Sequence, residues 1–130
     1  METRELITAG VLVSVSTQFR ADLSQIESSR YFFNYTIFIA NKNNFPVQLL
    51  HRDWFVHDAL KMPYRVSGQG VIGEQPIFEP GFTYDYTSGC ELDNEIGTMS
   101  GYYTFQNLVT KELFEVQIPK FSLIYPGRLN

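Results

Sequence analysis

The stretch GQGVIGEQPIFEPG, Gly68 to Gly81, decides which kind of fold this chain has. Gly68, Gly70 and Gly73 have the G-x-G-x-x-G spacing of a dinucleotide-binding loop. That loop works only where a strand feeds the glycines and a helix opens after them, because the helix N-terminus supplies the amides and the dipole that hold a pyrophosphate. Here Gly73 is followed by EQPIFEPG, with two prolines and no helical periodicity. The glycines therefore read as relief of steric limits in a curved strand-to-strand connection. A backbone nest for an anion stays open, with Arg52 as its best cation. Pro80-Gly81 has the form of a type II turn, with Pro fixing φ at one central position and Gly taking positive φ at the next.

On both sides of this segment apolar residues alternate with polar ones between turn signals, the pattern of sheets with one buried face. Val11, Val13, Val15 and Phe19 share a face. Phe33, Tyr35, Ile37 and Ile39 share another, with Phe32 and Phe38 pointing the opposite way. PVQLLHRDWFVHD reads as a long, bulged strand, and MPYRVSG as a short one entering the glycines. Phe82, Tyr84 and Tyr86, then Met99, Tyr103 and Phe105, then Phe114, Val116 and Ile118 continue the alternation, and Pro119 marks an edge or a bulge. The only helix candidates, DLSQIESS and HDALKM, are too short to stand without tertiary support. The chain is expected to be all-β, an immunoglobulin- or fibronectin type III-like β-sandwich of two antiparallel sheets with almost no helix. Its 130 residues make one domain, 1–130, with residues 1–5 a flexible N-terminus.

The net charge of −4 and the absence of a Lys/Arg cluster argue against nucleic acid as a partner, because phosphate contacts supply most of that affinity. No apolar run approaches the roughly 18 residues needed to cross a bilayer, so no membrane partner is expected. The single cysteine, Cys90, fits a reducing compartment, and a cytoplasmic location is expected.

His51, Asp53 and His57 fall on one face of their strand. His51 and Asp53 are the only pair close enough to lean toward one metal ion, and the ligand set is incomplete, so the face is expected to be solvated. Arg52 and Trp54 take the other face, with Trp54 in the core and Arg52 near the sheet edge. Ser88 with His51 or His57 has no supporting motif for a triad. No catalytic residue and no cofactor is expected. The outward Phe32 and Phe38 need cover from a protein partner, from a second copy in a homodimer, or from residues 20–30 of the chain itself.

Four segments carry a family resemblance. NFPVQLLHRDW resembles P-V-Q-L-L-x-R-x-W, through Pro46 to Leu50, Arg52 and Trp54. VSGQGVIGEQPIFEPG resembles V-x-G-x-G-V-x-G-x-Q-P-x-x-x-P-G. YTSGCELDNEIGTMSGYY and IPKFSL resemble Y-x-S-G-x-x-L-x-T-x-x-G-x-M-x-G-x-Y and I-P-x-F-x-L. In order and from about residue 30 onward, these are the motifs of the ApaG family, also called the DUF525 domain. The resemblance implies a fibronectin type III-like sandwich. It also implies a protein-interaction module, since such domains occur alone in bacteria and attached to F-box proteins and a polymerase-delta-interacting protein in eukaryotes. It carries an association with cobalt and magnesium resistance phenotypes and with neighbours that hydrolyse diadenosine tetraphosphate. Two places depart from the pattern. Phe82 stands where the family usually has Glu, which makes it a third candidate for a partner surface, and DALKM replaces an Asn/Asp-Gly turn.

Overall fold

Alternation sorts the long strands into buried and exposed rows. Val11, Val13 and Val15 are buried on one strand, Phe33, Tyr35, Ile37 and Ile39 on the next, and Met99, Tyr103 and Phe105 on a third. In the computed structural model, which describes residues 3–59 and 61–129, these rows belong to nine strands. They are β1 (Thr3–Thr8), β2 (Val11–Phe19), β3 (Tyr31–Asn41), β4 (Val47–His57), β5 (Tyr64–Gln69), β6 (Ile77–Phe78), β7 (Thr83–Leu92), β8 (Ile96–Asn107) and β9 (Leu113–Ile124). All pairings are antiparallel. One sheet has the order β1-β2-β3-β7; the other has the order β5-β4-β8-β9, with β6 also pairing β4.

The sheets face each other as the expected β-sandwich. Tyr35 of one sheet packs on Trp54 of the other, ring centroids 5.2 Å apart, and the Trp54 ring meets Phe121 edge-on at 5.9 Å. The hydroxyls of Tyr86 on β7 and Tyr103 on β8 hydrogen-bond across the gap. The β1–β2 side lies against β9, while β7 and β5 form the opposite margin. Helix is confined to 3-10 turns at Ala21–Leu23, Ile26–Ser28 and Pro126–Leu129. DLSQIESS supplies two of these turns. HDALKM forms no helix among its described residues, and its Leu60 lies outside them. No helix among the described residues is long and apolar enough to cross a membrane.

One expectation needs correction. Residues 3–5, expected as a loose terminus, begin β1, an edge strand paired along its whole length to β2; Met1 and Glu2 lie outside the described residues. Ala9 and Gly10, both at positive φ, join β1 to β2 as a hairpin. The bulges fall where strand chemistry demands them. Leu50 is the extra residue of β4 against β8, and the register shift opposite Met99–Gly101 places another at Pro119–Lys120 of β9.

Candidate functional site

The glycine segment is a hairpin. Gly70 turns with φ +60°, and Val71 and Glu74 exchange both backbone hydrogen bonds around Ile72 and Gly73. The two central residues have φ of 47° and 74°, as a type I′ turn requires. Gly70 has no substitute here, because a Cβ would lie 1.9 Å from the carbonyl oxygen of Glu74. The structure brings Gly68, Gly70 and Gly73 together with Arg52. However, the Gly70 amide donates to Leu50, the Val71 and Glu74 amides donate to each other's carbonyls, and no helix follows Gly73. Arg52 Nη1 donates to the carbonyls of Gln69 and Gly70, both at 2.9 Å. The loop thus shows Arg52 its carbonyls, while three of its amides are engaged internally. Arg52 lies against Gly68, where a Cβ would stand 2.8 Å from Nη2.

Beside this loop, between β7 and β5, the sandwich lacks a strand. Register places Val66 across from Trp54 and Tyr64 across from Val56, so both β5 side chains belong to the inner face. Trp54 and Val56 are buried, yet Tyr64 is 47% and Val66 43% exposed, because no strand lies over them. β7 is paired to β3 alone, and its other edge meets no strand among the described residues. The slot has a volume of about 310 Å³ and is lined by Arg52, Trp54, Tyr64, Val66, Ser88 and Cys90 among others. Its two ends are tied. Tyr84 donates from its hydroxyl to the Glu74 carboxylate at 3.2 Å at the glycine end. At the other, Asp58 accepts from the Asp93 amide at 2.7 Å and the Asn94 side chain at 2.9 Å.

Burial, with Asp58 and Glu91 adding to it, pushes the Cys90 thiol up to about 11, so it lines the slot as a neutral group. Burial likewise holds the Tyr86 and Tyr103 phenols above their usual range. The slot therefore offers one cation, several hydroxyls and an apolar floor, with Glu91 also along its lining. Sequence reasoning found Arg52 and Trp54, weighed Ser88 only for a triad, and missed Tyr64 and Val66. The available signal was on β7, where Ser88 and Cys90 interrupt an inward row of Tyr84, Tyr86 and Leu92.

The face of β4 carrying His51 and Asp53 is not simply solvated, as had been expected. Asp53 is only 3% exposed. Its Oδ1 accepts from Ser67 and from Nε and Nη2 of Arg65, and Oδ2 stands 3.9 Å from His51 Nε2. Cross-strand pairing of Asp53 with Ser67 creates this cluster, and Arg65 already occupies the carboxylate. No three His, Cys, Asp or Glu side chains converge for a metal among the described residues. Ser88 faces the slot, whereas His51 and His57 lie on the outer face of the other sheet, so no triad forms.

Desolvation pushes the Asp53 carboxyl up. Hydrogen bonds from Ser67 and Arg65 and the charges of Arg65 and His51 outweigh it, leaving the group below its usual 3.8. A depressed carboxyl stabilises the fold above the unfolded-state pKa, and that contribution disappears as pH falls through the lower folded value. Asp53→Asn should therefore lower stability at pH 7 by about 1–2 kcal/mol. Below pH ~4 its deficit against the parent should shrink. Urea titrations of both proteins at pH 7 and pH 3 check this; a deficit that does not change with pH would contradict it.

Phe32 and Phe38 both point outward from β3. The half-buried Phe32 ring occupies the space a side chain at Gly89 would fill, next to the open edge of β7. Phe38 stays exposed, and Phe82, also exposed, packs edge-on against Phe78 at 5.3 Å.

Comparison with known proteins adds the following. The family described as the ApaG domain, DUF525, matches residues 21–107. The chain is 42% identical over 121 residues to a protein named Protein ApaG from Rhizobium meliloti strain 1021, covering 93% of this chain and 92% of that one. It is 43% identical over 119 residues to Protein ApaG from Methylorubrum extorquens strain PA1, covering 92% and 91%. A crystal structure from Bordetella pertussis, called an ApaA protein, superposes with a TM-score of 0.86 at 38% identity, over 89% of this chain and 94% of that one.

Proposed function

The chain belongs to the ApaG family, and from that premise we propose that it works as a non-enzymatic binding module that takes up an extended segment of another protein along β7. The observation that carries the reading is the missing strand. Tyr64 and Val66 stand on the inner face of the sandwich and remain open to solvent, directly beside the open outer edge of the ten-residue strand β7. A segment added to β7 gains main-chain hydrogen bonds and covers these two side chains at once. The other open edges lack that combination. β1 carries the exposed Leu6 and Ile7 but lies at the margin where β9 closes the sandwich. Phe32, over Gly89, flanks the same groove and would meet the partner's outer side. A cytoplasmic setting suits the neutral, unpaired Cys90 in the slot.

Affinity capture from lysate with the parent, Val66→Glu and Ile7→Glu tests the reading, each variant first shown to unfold near the parent's temperature. A protein retained by the parent and by Ile7→Glu, and lost with Val66→Glu, is expected. Equal retention by Val66→Glu, or no retention above background, would reject the β7 groove.

A further inference from the structure

We infer that the segment taken up along β7 presents an acidic side chain to Arg52, followed at two-residue steps by two apolar side chains that pack on Val66 and Tyr64. This rests on the reading of β7 as the docking edge. In a strand paired to β7, every second side chain points into the slot, with about 6.6–6.8 Å between successive ones. The wall opposite changes character at the same period. Arg52 pairs with Gly68 at the first level, Trp54 with Val66 at the second, and Val56 with Tyr64 at the third. Gly68 has no side chain, so the guanidinium is not screened from the slot on that side.

Among the described residues Arg52 forms no ion pair. Its Nη1 holds two carbonyls, which orient the group without neutralising it. A half-buried cation over an apolar floor favours a carboxylate, through charge-assisted hydrogen bonds, over an amide or an ammonium. A single guanidinium beside a loop with three engaged amides suits one carboxylate better than a pyrophosphate. The outward row of β7 carries Asp85 and Glu91, so the intervening residues of the segment should be neutral or basic. The recognised pattern is acidic-x-apolar-x-apolar, or its reverse where the segment runs the other way.

Selection of random decapeptides displayed on phage tests this against the parent, Arg52→Gln and Arg52→Lys. Gln keeps a neutral hydrogen-bond donor at this position while removing the charge, and amide NMR spectra verify that each variant is folded. The parent and Arg52→Lys should enrich Asp or Glu two and four residues from apolar positions. Arg52→Gln should keep the apolar alternation and lose the acid. A synthetic peptide from the parent's pool should bind Arg52→Gln about tenfold more weakly, and its Glu→Gln form should bind both alike. Peptides that shift β7 amides but show no acid preference, or the same acid preference on Arg52→Gln, overturn the inference and leave the docking edge standing. No enrichment, or peptides that shift amides only on another surface, overturns the docking edge and the inference with it.

Discussion

Gly101→Ala is expected to cost about 3 kcal/mol or more and to leave little folded protein, a large effect for the addition of one methyl group. Gly101 sits mid-strand in β8, paired with Trp54 on one side and Ile118 on the other. A Cβ there would lie 2.1 Å from the carbonyl oxygen of Asp53 and 3.2 Å from the Cα of Trp54. Both are backbone atoms of β4, so no side chain can rotate away. Relief requires β4 and β8 to separate, yet Trp54 and Asp53 are both buried at that level, one in the core and one beneath Arg65 and Ser67. The control is Gly73→Ala, where a Cβ meets nothing within 4 Å and only the positive φ opposes it. That variant should lose about 1–2 kcal/mol. Urea unfolding followed by circular dichroism gives both values, and a Gly101→Ala loss no larger than that of Gly73→Ala would contradict the close approach.

The same comparison of positions explains what could be read from the chain itself. Strands β2, β3 and β8 were legible because one row of each is buried and alternates along most of the strand; β7 alternates half-buried with exposed residues, and β9 alternates up to its bulge at Pro119. The ApaG motifs were legible because glycines and prolines at fixed spacing record turn geometry. β1 was missed for a physical reason. TRELIT is an exposed edge strand whose partner supplies its hydrogen bonds, so burial imposes no pattern on it. Arg52 and Trp54 fell on the correct face, but burial of Asp53 did not follow from alternation. It comes from Ser67 and Arg65, on a strand whose register is set by the turn between β4 and β5. The slot was least legible of all. It is made by the lack of a strand opposite β5, and that depends on sheet order, a property of the whole chain and not of any segment.

Trp54→Ala is expected to cost about 3–5 kcal/mol, the range for removing a large aromatic from a packed interior. Trp54 is 3% exposed; it meets Tyr35 of the opposite sheet and Phe121 of its own, and Tyr35 reaches Phe121 across the gap. Tyr35 and Phe121 also touch each other, with ring centroids 5.9 Å apart, so the three rings form one cluster that cannot contract around a missing indole without moving β3 or β9. The residual cavity opens onto the slot, so water can enter it and no compensating collapse is expected. Trp54→Phe keeps most of the contact and should lose about 1–2 kcal/mol. Because Trp54 is the single tryptophan of the chain, unfolding of both variants must be followed by circular dichroism. In the parent, the indole reports on the slot itself. A segment lying over Val66 removes water from beside Trp54 and should shift its emission, whereas a partner bound at β1 should leave it unchanged. If Trp54→Ala loses less than about 1 kcal/mol, the ring cluster is not what couples the sheets. The floor of the slot would then be softer than the geometry requires.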